Sequence, residues 1–313
     1  NQSPVFGIFY LRWNMEKTLV IGSCTVDIVI PTPRLPSTTD SINSGVHHYA
    51  LGGCAYNVSQ MQRLLSVPYL HGVTIGSGIY GDFVKKELEK KGIPIFRTSK
   101  EPHGACICLV EESGERSFIA YHGIEYKFDR AWFKTIDLKQ FSSVYLCGLE
   151  LEEDTGEEIV LFLEENNFKN IYFAPGPRLL TIKKSFVDRI FALKPIIHLN
   201  DQEIVSYTKD SDLKRAMKTL QAMTGNDVIV TMGKDGAMIA HGDETIYEES
   251  RESEVVDSIG AGDCHLGTYI AFRNMGKERR EALKKANLFA SEVVRHEGPT
   301  LTRDDVERLL LSD

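Results

Sequence analysis

A run of small residues that ends in an aspartate offers the clearest chemistry in the chain: Asp257-Ser258-Ile259-Gly260-Ala261-Gly262-Asp263. The apolar residues around 254–256 predict a strand before the run, and residues 264–275 have the pattern of a helix. The three small residues before the last aspartate would let a phosphate approach the backbone N–H groups at the helix start. The run therefore predicts an anion cradle beside a carboxylate, although a plain helix cap on a glycine turn has the same pattern.

The last aspartate of this run, Asp263, is suited to phosphoryl transfer. It would lie in the first helical turn, where the helix dipole favours the ionised form and makes the carboxylate a weak base. A weak base is sufficient because the transition state is loose, so orienting the attacking hydroxyl matters more than basicity. The run lacks the Lys-Ser/Thr pair of a P-loop and the Gly-x-Gly-x-x-Gly of a dinucleotide-binding fold.

A second candidate site lies near the N-terminus, in Leu51-Gly52-Gly53-Cys54-Ala55-Tyr56-Asn57. The paired glycines Gly52 and Gly53 would let a ligand lie against the backbone, and the amide of Asn57 could bind a sugar hydroxyl. Upstream, Asp27 follows the first predicted strand, where ligands of open α/β sheets bind. Asp27 could accept two vicinal hydroxyls, and a turn-stabilising role fits it equally well.

The elements that must position these residues follow an alternating pattern. Short β-branched runs alternate with helical stretches from residue 17 onward, which predicts an α/β fold with a mostly parallel sheet covered by helices. The predicted strands are residues 19–21, 143–146, 170–173, 196–199 and 228–231. Two regions, about 26–50 and 104–122, break this rhythm and predict antiparallel strands outside the main sheet. They form a candidate lid, or a surface hairpin without a gating role.

Composition limits the class of partner. The 313 residues are 42% hydrophobic and 26% charged, with a net charge of −8 and no block of like charge. This favours a small-molecule partner over nucleic acid or a membrane surface. No apolar run reaches the length of a membrane span. Six scattered cysteines lack zinc-like spacing and are expected to be reduced thiols of a cytoplasmic protein. Residues 1–14 are expected to be a leader, followed by one domain over residues 15–313.

The two glycine motifs together resemble the ribokinase or PfkB carbohydrate-kinase family, over nearly the whole chain after Met15. The first match is the Gly52-Gly53 pair with Asn57. The second is the family pattern Asp-Thr-x-Gly-Ala-Gly-Asp at 257–263, in which Ser258 replaces Thr. Intermediate features agree: Gly81-Asp82-Phe83, Gly114-Glu115-Arg116, Asn200-Asp201-Gln202-Glu203 and Thr231-Met232-Gly233-Lys234-Asp235-Gly236. The departures Cys54, Tyr56 and Cys264-His265 resemble a bacterial sugar-kinase subgroup rather than a true ribokinase.

The resemblance implies an ATP-dependent kinase with a ribokinase-like three-layer α/β/α core and a small antiparallel β lid. Asp263 would take the proton of the attacking hydroxyl, and the amides of Gly260, Ala261 and Gly262 would form the anion hole. Asp27, Gly52, Gly53, Asn57 and Glu150 would bind the acceptor. The residues implied for the nucleotide are Asn200, Glu203, Thr231, Gly233, Gly236 and Asn287, with Asn200 and Glu203 placing the triphosphate and its Mg²⁺.

The resemblance also implies a monovalent cation beside the anion hole, and oxygen-only ligation by neutral carbonyls suits K⁺. The implied donors are the carboxylate of Asp257, carbonyls of Ile259, Val293, His296 and Gly298, and an oxygen of Thr302. We therefore expect activation by K⁺.

The sequence leaves the class of the acceptor open between sugars and nucleosides. A third interpretation is that the protein is not an enzyme. A sugar with a primary hydroxyl is preferred. A nucleoside of the adenosine, inosine or pseudouridine type is the alternative, with Tyr49, Phe118 and Tyr121 stacking on the base or packing as lid core. A nucleotide-binding regulator without catalysis is disfavoured because such a protein has no evident need for Asp263. By resemblance, the lid would pair two subunits in a homodimer.

Overall fold

The computed structural model describes residues 15–113, 115–296 and 298–312. The predicted leader, residues 1–14, lies outside these described residues. The strands are β1 (Lys17–Ile21), β2 (Thr25–Thr32), β3 (His48–Gly52), β4 (Tyr69–Gly72), β5 (Thr74–Ser77), β6 (Arg97–Pro102), β7 (Ala105–Glu111), β8 (Arg116–Tyr121), β9 (Phe141–Cys147), β10 (Asn170–Ala174), β11 (Ile196–Asn200), β12 (Val228–Thr231), β13 (Ala237–His241) and β14 (Glu244–Glu248).

The α-helices are α1 (Cys54–Leu64), α2 (Gly78–Lys90), α3 (Gly156–Glu165), α4 (Lys184–Ala192), α5 (Asp201–Thr208), α6 (Leu213–Thr224), α7 (Ala261–Asn274), α8 (Arg279–Val293) and α9 (Arg303–Leu310). In the part of the chain that the structure describes, no helix combines the length and apolar character needed to cross a membrane.

The central sheet has the strand order β14-β13-β12-β11-β10-β9-β1-β4. Neighbours from β12 to β4 pair in parallel, and β13 and β14 add an antiparallel edge. All five predicted strands are present in this sheet. The predicted α/β fold with a mostly parallel sheet is therefore confirmed.

Helices cover both faces of this sheet because its strands are apolar on both sides. Along β9, Val144 and Leu146 pack into one core with α3, α4, α5 and α6. Tyr145 and Cys147 point to the other face and pack with α1, α7, α8 and α9. Side chains that alternate between two apolar layers are expected for a parallel strand buried between helices. The result is the three-layer α/β/α arrangement.

The predicted lid is a separate four-stranded sheet in the order β3-β2-β7-β8. Its outer pairs, β2 with β3 and β7 with β8, are antiparallel, but β2 and β7 pair in parallel. The lid is therefore mixed rather than wholly antiparallel as predicted. Each insertion folds into an antiparallel pair, and the two pairs meet along their first strands. Local patterns specify each pair but not how the two pairs join.

The segment before the glycine-rich run is not the predicted strand. Val255 and Val256 are 64% and 57% exposed, and the N–H groups of Val256 and Asp257 both donate to the carbonyl of Val294. The apolar pair lies at the surface of a cleft instead of in a sheet. The following helix begins at Ala261, three residues before the predicted start.

Candidate active site

Asp263 is the third residue of α7, which begins after a turn that only glycine adopts easily. Gly260 caps the helix with a φ of 72°, and a Cβ atom there would lie 2.4 Å from Cβ of Pro299. The first N–H groups of a helix have no partner within it, and Gly262 is exposed at this end. The start of α7 therefore has the geometry of an anion-binding turn with a carboxylate beside it.

Burial changes the acidity of Asp263. It raises the pKa of the carboxyl to about 6, while hydrogen bonds from Asn57 and Cys54 act in the opposite direction. The sequence had suggested an ordinary carboxylate stabilised by the helix dipole. That expectation is wrong because loss of water outweighs the groups that favour the ionised form. At neutral pH the side chain is still mostly ionised, and it is a stronger base than a free aspartate.

Asn57, on the first turn of α1, connects the two sequence motifs. Its Nδ2 donates to Oδ2 of Asp263 at 2.9 Å. An ionised carboxylate can only accept hydrogen bonds, so its partner must be the NH2 group of Asn57, which fixes the orientation of the side-chain amide. Oδ1 of Asn57 is buried and has no hydrogen-bond partner in the described structure. A buried unpaired acceptor is uncommon in proteins, so this atom is available to a hydroxyl brought in by a ligand.

Asp27 lies on β2, directly over the backbone of Gly52 on β3. A Cβ atom on Gly52 would be only 2.0 Å from Oδ2 of Asp27, which explains why this position has no side chain. Oδ1 of Asp27 accepts a hydrogen bond from Thr25 at 3.1 Å. Burial raises the pKa of Asp27 to about 6, opposed by the bond from Thr25. Asp27 is therefore a second partly buried carboxylate, on a strand of the lid sheet.

Glu150 holds the backbone turn at the end of β1. Its Oε1 accepts from the N–H of Ser23 at 2.8 Å, and its Oε2 accepts from the thiol of Cys147 at 2.8 Å. Gly22 makes room for Glu150, because a Cβ atom on Gly22 would lie 3.0 Å from Oε1 of Glu150, and a Cβ atom on Gly53 would lie 2.7 Å from the carbonyl oxygen of Ser23. Glu150 is 3% exposed. The geometry gives it a structural contact, and direct binding of a sugar hydroxyl stays a prediction.

A cavity of 660 Å³ lies on the other side of the start of α7. Its walls include four residues that the sequence assigns to the nucleotide: Thr231, Gly233, Gly236 and Asn287. Ala261 and Gly262 of the anion-binding turn also line it. Gly236 has a φ of 90°, and a Cβ atom there would lie 2.2 Å from the carbonyl oxygen of Glu248. The cavity is therefore continuous with the anion-binding turn, as a nucleotide site would require.

Asn287 fixes a wall of this cavity through its side-chain amide. Its Oδ1 lies 3.1 Å from Nε2 of His265, and its Nδ2 donates to the carbonyl of Glu248 at 2.8 Å. Nδ1 of His265 lies 3.0 Å from Nε2 of His198. Burial lowers the pKa of His265 to about 4 and also lowers that of His198. Two neutral imidazoles and an amide thus form a polar chain in the cavity wall.

Asn200 and Glu203 form a reciprocal cap at the start of α5. Oδ1 of Asn200 accepts from the N–H of Glu203 at 2.8 Å, and Oε2 of Glu203 accepts from the N–H of Asn200 at 2.8 Å. Burial raises the pKa of Glu203. One carboxylate oxygen of Glu203 has no part in this cap and could contact a hydrated Mg²⁺, which keeps most of its own waters. The carboxylate therefore fits the predicted role without displacing the cap.

Comparison with models of protein families shows which family the chain belongs to. The model described as pfkB family carbohydrate kinase matches residues 15–305. The chain belongs to this family. It is therefore a pfkB kinase, a class of ATP-dependent enzymes that act on sugars or nucleosides.

Proteins similar to this pfkB kinase in sequence or in fold have different acceptors. The uncharacterized sugar kinase YegV of Escherichia coli K12 is 28% identical over 288 residues, which cover 90% of each chain. Arabidopsis thaliana ribokinase, solved with ribose and ATP, has a TM-score of 0.78 at 18% identity and covers 96% of this chain and 99% of its own. Sinorhizobium meliloti adenosine kinase has a TM-score of 0.80 at 18% identity and covers 95% and 99%. The ribokinase-like fold is confirmed, and it is shared by both acceptor classes.

The carboxylate implied for K⁺ binding in this pfkB kinase is already engaged. Oδ1 of Asp257 accepts from the N–H of Ile259 at 2.8 Å, and Oδ2 accepts from the N–H of Gly298 at 2.9 Å. Nη1 of Arg116 lies 3.0 Å from the same Oδ2. A guanidinium thus already neutralises the carboxylate that a cation would need.

Two of the remaining K⁺ donors also have partners within the protein. The hydroxyl of Thr302 caps α9 together with Asp305 in a capping box. The carbonyl of Val293 accepts from the N–H of His296 at 3.2 Å, and Nε2 of His296 lies 3.3 Å from a carboxylate oxygen of Glu292. An ion at this place would therefore compete with Arg116 for the carboxylate of Asp257.

Two contacts of the site were missed from the sequence. The thiol of Cys54, the first residue of α1, interacts with the carboxylate of Asp263, and the neighbouring thiol of Cys147 donates to Glu150. Arg116 was noted only as part of a matching motif, not as a partner of Asp257. A cysteine directly after the paired glycines was the one available signal for the first contact. No sequence pattern indicated the contact between Arg116 and Asp257, because the two residues are far apart in the chain and meet only in the folded protein.

Proposed function

We propose that this kinase transfers the γ-phosphate of ATP to a primary hydroxyl of a sugar. The observation that carries the proposal is the bond between Asn57 and Asp263, which brings the acceptor motif onto the anion-binding turn. The unpaired Oδ1 of Asn57 and the carboxylate of Asp27 offer acceptors for sugar hydroxyls on one side. The 660 Å³ cavity offers room for a nucleotide on the other side.

Asp263 is the base of the proposed reaction. The acceptor hydroxyl gives its proton to the carboxylate as its oxygen forms a bond to the γ-phosphorus, and the bond from that phosphorus to the β–γ bridging oxygen breaks, releasing ADP. The N–H groups at residues 260–262 donate to the transferring phosphoryl oxygens, where charge is concentrated. A pKa of about 6 leaves the carboxylate ionised at neutral pH and close to the operating range of a general base.

Mg²⁺ bound to the triphosphate would neutralise charge on its β- and γ-phosphates. In this chain we assign its placement to Asn200 and Glu203, the cap of α5. Burial raises the pKa of Glu203, which the bond from the N–H of Asn200 opposes. The cap therefore helps to keep the glutamate available as an anion.

A screen for ATP consumption tests the proposal. The full chain is offered pentoses, hexoses, their phosphates and nucleosides with Mg²⁺, beside Asp263→Asn and the exposed control Asp188→Asn. We expect turnover with a sugar, kept by the control and lost by Asp263→Asn. A nucleoside as best acceptor would favour the alternative, in which the exposed lid aromatics Tyr49, Phe118 and Tyr121 stack on the base. ATP binding without turnover on any acceptor would favour a regulator.

We also propose a homodimer formed through the lid sheet. Phe118, Ile119 and Tyr121 on the edge strand β8 are each more than half exposed, and an apolar edge strand is prone to pair with another chain. Light scattering of the native chain and of Ile119→Lys tests this. We expect a dimer that the substitution weakens, and a native chain that stays monomeric at high concentration would exclude it.

A further inference from the structure

A lid side chain reaches the carboxylate just before the anion-binding turn. Nη1 of Arg116 lies 3.0 Å from Oδ2 of Asp257, and the two side chains are only 19% and 2% exposed. Arg116 is the first residue of β8, and Asp257 lies three residues before Gly260. The ion pair therefore joins the lid directly to the turn that begins α7.

Asp257 is also bonded on its other sides. The N–H of Ile259 and that of Gly298 donate to its two oxygens at 2.8 and 2.9 Å. Its own N–H donates to the carbonyl of Val294 at the end of α8, at 3.0 Å. One carboxylate thus holds three segments together: the anion-binding turn, the loop after α8 and the lid. The guanidinium is the one full positive charge among the contacts described for it.

We propose that Arg116 supplies at Asp257 the positive charge that the family resemblance assigns to K⁺, so that this kinase turns over without a monovalent cation. The proposal rests on the proposed function, because it concerns the turn that would bind the transferring phosphoryl group. It follows from the ion pair between Arg116 and Asp257 and from the two N–H groups that already bond to the same carboxylate.

Physical chemistry favours the guanidinium over a free ion here. Arginine keeps its charge at all accessible pH values, is weakly hydrated, and matches a partly buried carboxylate in geometry. It is part of the same chain, so its effective concentration at Asp257 far exceeds that of a dilute salt. A K⁺ ion at this carboxylate would have to displace Arg116 and leave a half-buried guanidinium without its partner, which is unfavourable.

A consequence follows for the lid. The positive charge is carried by β8, so the turn at residues 257–260 has its full set of contacts only when the lid sheet lies against it. If a free ion supplied the positive charge instead, the contacts of this turn would not depend on the lid. Arg116 is therefore a positioning residue that links the lid to the anion-binding turn.

The experiment compares K⁺ with a cation too large for the site. The full chain is placed in potassium chloride or tetramethylammonium chloride at equal ionic strength. Two quantities are measured in each salt: the midpoint of thermal unfolding without nucleotide, and turnover with the acceptor found in the screen. For the native chain we expect the same midpoint and the same turnover in both salts.

Three variants sharpen the comparison. Arg116→Gln removes the charge, so we expect turnover in tetramethylammonium to fall about tenfold, the scale of a typical coupling between sites. Potassium should then raise both the turnover and the unfolding midpoint of Arg116→Gln. Arg116→Lys keeps the charge and should stay insensitive to potassium. Arg34→Gln is the matched control, because Arg34 pairs with Asp40 at the surface after β2 and its loss should change neither quantity.

Two results would overturn the proposal: a potassium-dependent rise in midpoint or turnover of the native chain, or an Arg116→Gln variant that behaves alike in both salts. If Arg116→Gln does not fold, the native chain and Arg116→Lys decide, since either one responding to potassium contradicts the proposal. If the native chain consumes no ATP with any acceptor, the proposed function fails separately, and the unfolding midpoints still answer the cation question.

Discussion

The side-chain amide of Asn57 donates to the carboxylate of Asp263 at 2.9 Å, joining two residues that are 206 positions apart. Each belongs to one of two glycine motifs, and neither motif alone distinguishes a catalytic site from a helix cap. The contact makes them one site, with an unpaired carbonyl oxygen on the acceptor side and an anion-binding turn on the other.

Asn57→Ala should slow catalysis by weakening the control of Asp263. The lost bond favours the ionised carboxylate, so the acid limb of kcat/KM should move to higher pH. Turnover should fall by roughly tenfold or more, because a hydrogen bond to a charged group is worth about 1.5 to 3 kcal/mol. Steady-state kinetics across pH measures both effects. Asn166→Ala is the control, because the side-chain amide of Asn166, which follows α3, donates to the carbonyl of Phe162 in that helix. An unchanged pH profile would contradict the contact's role.

Activity should fall steeply on the acid side. Burial raises the pKa of both Asp27 and Asp263 to about 6, and the proposed function needs both as anions. Below pH 6 the logarithm of kcat/KM should therefore drop with a slope approaching two rather than one. Asp27→Asn should reduce the slope to one, while the exposed control Asp82→Asn leaves it unchanged. A slope of one in the native chain would mean that only one of the two carboxylates must be ionised.

Asp263 should lower the stability of the fold at neutral pH. A carboxyl whose pKa is raised on folding binds its proton more tightly in the folded state. The contribution of Asp263 to the free energy of unfolding is therefore complete below pH 4, near the pKa of the carboxyl in the unfolded chain. This contribution is lost as the pH rises through about 6, the pKa in the folded protein. Asp263→Asn removes the buried charge and should gain on the order of 1–3 kcal/mol in unfolding free energy at pH 8. Denaturant unfolding at pH 4 and pH 8 tests this, and a gain that is equal at both pH values would argue against it.

Gly52→Ala should damage acceptor binding selectively. The new Cβ atom would meet Oδ2 of Asp27 at 2.0 Å, so the carboxylate must turn away, at a cost of about 1–3 kcal/mol for overpacking. The KM for the acceptor should rise about tenfold and that for ATP should not change. Gly242→Ala is the control for a glycine substitution that adds strain away from the acceptor, because Gly242 has a φ of 54° but no atom lies within 4 Å of the added Cβ atom. Equal effects on both substrates would show a general loss of structure.

The sequence predicted the body of the fold well because its signals are local. The parallel strands are short apolar runs, as in Tyr145 and its neighbours, and each is followed by a helical pattern. Prediction failed where apolar residues serve another purpose. Val255 and Val256 have strand character but lie exposed at a cleft. The parallel pairing of β2 with β7 joins two distant insertions, and no local pattern carries that information.

The site was predictable to the extent that it consists of motifs. Asn57 contacts Asp263, and Asp27 lies against Gly52 of the same motif as Asn57. The acidity of Asp263 was not predictable, because it depends on how much water the fold removes. The pairing of Asp257 with Arg116 was equally hidden, since a residue suited to a metal ion can instead meet a charged side chain from another sheet.

The most direct test of the central claim is the effect of Asp263→Asn on turnover and on ATP binding, measured with one acceptor. We predict that calorimetry finds ATP binding nearly unchanged, while kcat falls by about 10² to 10⁴, the contribution typical of a general base. A kcat for Asp263→Asn close to that of the native chain would contradict the assignment of Asp263 as the base.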